Sequence, residues 1–282
     1  MKLHVPPAPS AGLRSAKALG LTLLCGVLGA LPALAGPFEV AVSPSRFEVS
    51  GKSGGRVGQA LTIHNVGAQP TELALRTIDW TYTPTGQIAY YDELVPGSCR
   101  PWVTLERKTV KIAARSKLSF RFQVDVPPGS PRGECRFMLA VEGVEPAHKA
   151  LVEGGNASLS LPVSGRIAVA VYMAVDGAEP KLTMEQFGVM DIKGKRTPVV
   201  TVTNAGDAHG RIDGSLDATD ARGLKFELLP EGTPILPGQT RTLPLMARAE
   251  GNQAPPEFAL PLKASGTLEW EKGGFKIEAD FK

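Results

Sequence analysis

The chain has 282 residues, of which 43% are hydrophobic and 21% are charged, so it is long enough to bury one or two sizeable cores. Its 31 basic and 28 acidic residues give a formal charge of +3. Three of the basic residues precede residue 36 and the rest of the chain is balanced, which gives no electrostatic reason to expect a nucleic acid as partner.

Residues 1–35 have the layout of a secretory signal peptide. Basic residues come first, an uncharged apolar run follows, and residues 33–35 form an A-x-A cleavage site. We expect cleavage after Ala35 and export of the mature chain. The alternative is a membrane anchor or a buried helix, which the short apolar run of residues 18–31 disfavours.

The rest of the chain consists of short alternating segments separated by Gly, Pro, Asn and Asp, without a run of helical periodicity. Because strand side chains alternate between two faces, each segment is a predicted strand. The first series comprises residues 38–42, 46–50, 59–64, 72–81, 87–91, 109–113, 117–124 and 135–142. The second comprises residues 181–187, 199–203, 210–216, 225–228, 240–247, 258–264 and a final pair around 273–274. This spacing predicts an all-β fold of two immunoglobulin-like β-sandwich domains.

An internal similarity supports two domains of one type. Residues 61–67, LTIHNVG, match residues 200–206, VTVTNAG, and in each a strand runs into an Asn-x-Gly turn where Asn and Gly can take positive φ. The predicted domains are residues 36–176 and 177–282. The stretch 204–211, NAGDAHGR, suits a loop that faces the other domain or a partner, although an ordinary polar turn explains it equally well.

The longest alternating segment spans residues 156–175 and is predicted to be one strand. Its apolar parity contains Leu159, Leu161, Val163, Ile167, Val169 and Val171. Because Pro162 removes a backbone donor, we expect the first half to be a sheet edge whose apolar row is available to another chain. The second half is expected to be permanent core.

Little in the sequence points to chemistry. Cys99 and Cys135 are the cysteines of the exported chain and predict one disulfide, with two buried free thiols as the alternative. Since His64, His148 and His209 are scattered singly, we predict no metal site and no cofactor. No catalytic motif is present, so we assign no catalytic residue and no small-molecule substrate, and we do not expect an enzyme.

Two arginines stand out by position. Arg46 begins an alternating segment, and Arg166 interrupts the long segment between its apolar halves. An arginine among apolar neighbours must find an anion or a set of acceptors, because an unpaired buried charge is costly. Ordinary surface pairing is the simpler alternative for both.

Several segments, in this order, resemble the periplasmic pilus-assembly chaperones of the chaperone-usher pathway. They are the S-x-x-R-like residues 42–46, the strand ending in Asn65, the proline-led segment PRGECRF at 131–137, and the alternating row of Leu159, Leu161 and Val163 followed by 166–172, RIAVAVY. The resemblance covers the exported chain in outline and is strongest in its first half.

The resemblance implies a boomerang of two immunoglobulin-like domains in the periplasm. It implies a chaperone that stabilises pilus or fimbrial subunits by donor-strand complementation, with Leu159, Leu161 and Val163 as the donor row. An outer-membrane usher would receive the subunits. A cleft Arg and Lys of the family hold the subunit's C-terminal carboxylate, and Arg46 matches that Arg.

The family lysine falls on Ala168, so the carboxylate site departs from the family pattern. Arg166 could substitute for it, Arg46 could act with other groups, or the subunit could bind differently. We assign the carboxylate to Arg46 and Arg166. The alternative function is an exported two-domain structural or adhesive surface protein, in which the long strand is core.

Overall fold

The computed structural model describes residues 38–83, 87–96, 98–144, 148–154, 157–163, 165–249, 251 and 254–282, with the backbone alone for 148–163. The predicted signal peptide, residues 1–35, lies outside them. The strands are β1 Val40–Ser43, β2 Arg46–Gly51, β3 Arg56–Asn65, β4 Thr71–Tyr82, β5 Ile88–Tyr91, β6 Val103–Leu105, β7 Thr109–Ile112, β8 Lys117–Asp125, β9 Gly133–Gly143, β10 His148–Gly154, β11 Ala157–Val163, β12 Arg166–Val175, β13 Leu182–Ile192, β14 Lys195–Asn204, β15 Asp213–Asp220, β16 Lys225–Pro230, β17 Thr240–Ala247, β18 Leu262–Trp270 and β19 Gly273–Phe281. A 3-10 helix at Arg100–Trp102 precedes β6. Among the described residues, no helix has the length and hydrophobicity to cross a bilayer.

The first sandwich consists of two sheets. One has the strand order β1-β3-β8-β6, and the other has the order β2-β12-β9-β4-β5, with β7 paired to β4. The neighbours are antiparallel except β2 and β12, which are parallel. The chain passes from one sheet to the other at Pro44, between β1 and β2. Strands β10 and β11 pair only with each other among the described strands.

The second sandwich is built from seven strands in the order β13-β14-β17-β16-β15-β18-β19. Its core contains Leu216, Leu243 and Phe281, all fully buried, and it is separate from the core of the first sandwich. The predicted all-β fold with two sandwiches is therefore confirmed. Several boundaries differ: the strand predicted at 258–264 begins only at Leu262 and continues to Trp270, and the strand predicted at 210–216 is Asp213–Asp220.

The core of the first sandwich contains the residues of β12 that the alternating pattern predicted. In β12, Val169 and Val171 are fully buried against Phe120 and Phe137 of the same core. Cys99 joins this core and forms a disulfide with Cys135, with a Cα–Cα distance of 5.8 Å. The prediction that the second half of the long segment is permanent core is confirmed.

The two matching Asn-x-Gly segments do form matching turns. Asn65 donates to the carbonyls of Gln69 and Ala113, and its Oδ1 accepts from the backbone N–H of Gly67. Asn204, also buried, accepts from Gly206 in the same way.

Neither the asparagines nor the glycines adopt the positive φ that these residue types permit. Close approach of a backbone atom requires the glycine at 206 instead, whereas at Gly67 the nearest atom is the end of the Glu39 side chain, which can move aside. A Cβ on Gly67 would overlap the Glu39 carboxylate, and one on Gly206 would overlap the backbone carbonyl of Glu179.

The prediction of one strand over residues 156–175 is also wrong. The segment is divided into β11, which ends at Val163, and β12, which begins at Arg166 and belongs to a different sheet. At the start of β12 the ring of Phe38 lies so close to Gly165 that a Cβ there would overlap it. The core-facing half and the proposed donor half are thus separate strands.

Candidate functional site

The outer face of the sheet β2-β12-β9-β4-β5 meets the second sandwich and forms the centre of the candidate site. Val169 and Val171 of β12 point into the core, whereas Ala168, Ala170 and Tyr172, of opposite parity, belong to a third apolar cluster. The other members of that cluster are Ile78, Trp80, Tyr82, Met138, Ala140 and, from the second sandwich, Leu236. We call this surface the junction face.

Tyr172 is the central aromatic residue of the junction face and is only 3% exposed. Its ring packs edge-on against Trp80 at 5.6 Å and stacks on the imidazole of His209 at 3.9 Å, between centroids. Arg211 donates from Nη2 to the Tyr172 hydroxyl at 3.3 Å. Burial raises the pKa of that hydroxyl, so it remains a neutral hydrogen-bonding group near pH 7.

The stretch 204–211, for which the sequence left an interdomain loop, a partner-facing loop and a polar turn open, docks the second sandwich on β9. The backbone N–H of Glu134 donates to the Asp207 carbonyl at 2.8 Å, and Arg132 pairs with the Asp207 carboxylate. The backbone N–H of His209 donates to Glu134 Oε2 at 2.9 Å, and the His209 Nδ1 contacts the same oxygen. The Glu134 side chain is 1% exposed, so this link is well shielded from water.

Three basic side chains surround the carboxylate of Glu48 on β2. Arg46 Nε donates to Glu48 Oε1 at 2.8 Å, while His209 Nε2 and Arg211 Nε each lie 3.6 Å from the same oxygen. Partial burial raises the Glu48 pKa, but the Arg46 hydrogen bond and the charges of His209, Arg46 and Arg211 lower it more. The net effect is a Glu48 pKa below the ordinary value, so the carboxylate is ionised near pH 7.

Arg166 lies elsewhere on the same face. Arg46 stands opposite Ala170 in the register of β2 and β12, which places Arg166 four residues, or about 13 Å, along the strand. Its guanidinium pairs with Glu142, which also accepts two hydrogen bonds of 3.0 Å from Arg76. The structure therefore does not bring Arg46 and Arg166 together, and an acid of this chain already pairs with each.

Ala168, at the position of the family lysine, stands opposite Ala140 of β9 and belongs to the apolar cluster. Two basic groups from the second sandwich, His209 and Arg211, approach the same Glu48 carboxylate as Arg46. The sequence alone indicated their loop, residues 204–211, but not their contacts with Glu48. Their approach to β2 depends on tertiary packing that no local pattern encodes.

Strand β12 has an open edge beside Arg46. Its pairing with β2 begins at Ala170, so residues 166–169 have a strand neighbour, β9, on one side only among the described strands. An edge of unpaired N–H and C=O groups is a template for an added strand. Arg46 stands at the point where this open edge ends.

The predicted donor row lies on β11. The register places Leu159, Leu161 and Val163 opposite Val152, Ala150 and His148 of β10. The side chains of these residues lie outside the described part of the structure. On the side away from β10, β11 has no partner among the described strands.

The junction contains a cavity of about 580 Å³, lined in part by Glu48, Glu134, Tyr172, Arg211 and Trp270. Among the described residues, no group of three or more His, Cys, Asp or Glu side chains is placed to hold a metal ion. The arrangement offers basic groups, an aromatic surface and an open strand edge, which suit binding of a peptide segment.

No family model matches the sequence, and no curated protein is similar to it. Similar solved structures include the YadV chaperone, with 14% identity, a TM-score of 0.44, and coverage of 86% of this chain and 98% of that chain. The Pseudomonas aeruginosa CupB2 chaperone has 10% identity, a TM-score of 0.45, and coverage of 86% and 100%. A chain from the Salmonella enterica complex of SafA pilin with the SafB chaperone has 13% identity, a TM-score of 0.43, and coverage of 86% and 95%. These likenesses, to chaperones and a chaperone complex, concern the fold.

Proposed function

We propose that this protein is a periplasmic chaperone for pilus or fimbrial subunits. It binds a subunit by donor-strand complementation and delivers it to an outer-membrane usher for assembly into a fibre. Its two domains are residues 36–176 and 177–282. The observation that carries the proposal is the open edge of β12 at residues 166–169, which ends beside the guanidinium of Arg46.

The geometry indicates the direction of an added strand. Because β2 runs parallel to β12 and begins at Arg46, a strand added along residues 166–169 lies end to end with β2. If its C-terminal carboxylate meets Arg46, the added strand must run parallel to β12. Arg46 is proposed as the carboxylate ligand, whereas Arg166, at the far end of the open edge and about 13 Å away, would face an earlier part of the added strand.

The apolar row of β11 supplies the gross driving force in this proposal. Burying Leu159, Leu161 and Val163 in a subunit would release about 1.5 to 3 kcal/mol each, or about 5 to 9 kcal/mol together. Association costs about 4 to 15 kcal/mol in rigid-body freedom, so ladder hydrogen bonds and the carboxylate contact must supply the remainder. Such binding requires no ATP, and release follows from exchange with a better-fitting strand.

The test is co-expression with the candidate subunit from the adjacent gene, followed by purification of the complex. We expect Leu161→Asp to abolish capture, since it places a charge in the apolar row. Ser160→Asp is the matched control: it puts the same charge one position away, on the opposite face, and should leave capture intact.

The chaperone function and the structural or adhesive alternative predict different effects of Leu161→Asp on the melting temperature of the protein without a subunit. A donor row leaves the melting temperature of the empty protein nearly unchanged in Leu161→Asp. If the variant captures the subunit normally, the assignment of the donor row is wrong. If the wild type captures no subunit and the variant melts many degrees lower on its own, β11 is ordinary core and the structural or adhesive alternative is favoured.

A further inference from the structure

The basic cluster of Arg46, His209 and Arg211 is a carboxylate site that already contains a carboxylate, that of Glu48. The contacts come from both sandwiches, because Arg46 and Glu48 belong to β2 whereas His209 and Arg211 precede β15. Only Arg46 is at hydrogen-bonding distance, 2.8 Å, while the other two basic nitrogens lie 3.6 Å away. Glu48 therefore fills this site incompletely.

We infer that Glu48 is an internal stand-in for a partner's carboxylate: it occupies the Arg46–His209–Arg211 cluster in the empty protein and leaves when a chain-terminal carboxylate binds. This inference rests on the proposed function. In this inference His209 and Arg211, from the second sandwich, take the place of the family's cleft lysine, whose position is occupied here by Ala168.

The hydrogen bonds of Arg211 also indicate that Glu48 fills this site incompletely. Its Nη1 donates to the Gly232 carbonyl at 2.7 Å and its Nη2 donates to Tyr172, so two of its nitrogens are fixed by the protein. Its Nε is buried and has no hydrogen-bond partner, although it lies 3.6 Å from Glu48. A buried donor without a partner is costly, and an untethered carboxylate could approach it more closely than Glu48 does.

The two sides of the site differ in exposure and in the number of contacts that hold them, as the inference requires. The side chains of Arg46 and Glu48 are 51% and 48% exposed, so their pair is a weak surface ion pair. The His209 and Arg211 side chains are 10% and 22% exposed, and contacts to Glu134, Tyr172 and Gly232 hold them in place. Glu48 can move into solvent while the basic groups of the second sandwich remain.

The experiment uses two fluorescein-labelled decapeptides of alternating threonine and valine that differ only in a free C-terminal carboxylate or an amide. Fluorescence anisotropy gives the affinity ratio of acid to amide for each variant. Glu48→Gln removes the competing charge with little change of shape, and the ratio should rise roughly two- to fivefold, the range expected for losing an exposed ion pair. Arg211→Gln should lower the ratio.

Asp125→Asn is the matched control, because it breaks a comparable exposed pair, with Arg56, on the other sheet and should leave the ratio unchanged. Melting temperatures establish that each variant is folded. A Glu48→Gln ratio equal to or below that of the wild type overturns the inference alone, whereas equal binding of acid and amide by the wild type overturns both the inference and the assignment of the carboxylate to Arg46. If neither peptide binds any variant, strand addition itself fails, and with it the inference.

Discussion

Replacing Gly165 by alanine tests how the break between β11 and β12 is built. Gly165 precedes β12, and its carbonyl accepts a hydrogen bond from the backbone N–H of Gly143 at 3.3 Å. A Cβ on Gly165 would overlap three atoms of Phe38, namely Cβ, Cγ and Cδ1. Rotation of the Phe38 ring about its Cβ–Cγ bond leaves Cβ and Cγ in place, so it cannot remove the overlap.

The cost follows from this overlap. Forcing an extra carbon into an occupied site costs about 1–3 kcal/mol, and we expect Gly165→Ala to destabilise the protein by that amount. Phe38→Gly removes all three overlapping atoms and should cost about 2–3 kcal/mol, because Phe38 is only half-buried and glycine adds backbone freedom to the unfolded chain. With Cβ, Cγ and Cδ1 absent the new methyl group fits, so the double variant should be no less stable than Phe38→Gly alone.

Urea unfolding of the exported chain and its variants measures this double-mutant cycle. Gly143→Ala is the matched control, since its Cβ would meet Phe38 at an ordinary 3.5 Å, and it should cost little. If the effects of Gly165→Ala and Phe38→Gly add within about 0.5 kcal/mol, the Phe38 side chain does not occupy this site and the account of the strand break is refuted.

Two further predictions concern buried polar groups of the second sandwich. Asn204→Ala should lower stability by about 1–3 kcal/mol, because it removes the amide that donates to Ala208 and Ile235; unfolding free energies equal to those of the wild type would contradict this. Backbone donors, first that of Ala259, lower the Asp220 pKa to about 2, so the carboxylate stabilises the fold above its unfolded pKa of about 4 and this contribution disappears as the pH falls through 2. Melting temperatures of the wild type should therefore decrease more steeply than those of Asp220→Asn between pH 4 and 2, and parallel curves would disprove the assignment.

Local patterns were sufficient for most of the fold. Alternation identified Val169 and Val171 as core, since a strand with one buried face must repeat every two residues. The repeated Asn-x-Gly segments were correctly predicted as turns, but Gly206 serves to admit the Glu179 carbonyl at close range. Such contacts join residues far apart in sequence, so the local pattern predicts the turn and not its cause.

The break at Gly165 shows the same limit. Apolar residues continue at every second position through residues 156–175. This pattern is the same in every sheet, so it does not reveal that the chain changes from one sheet to another within the segment. What divides the segment is Phe38, more than one hundred residues earlier, together with the pairing of β11 with β10.

The sequence alone determined most of the strands, the two cores and the cysteine pair, because each depends on residue type and short-range order. Only the tertiary structure decided which groups surround Arg46. Arg166 lies four residues, or about 13 Å, along β12 from the residue opposite Arg46, whereas His209 and Arg211 approach from the second sandwich. Sheet register and docking of the 204–211 loop set those distances, and both arise from packing between segments that are distant in the chain.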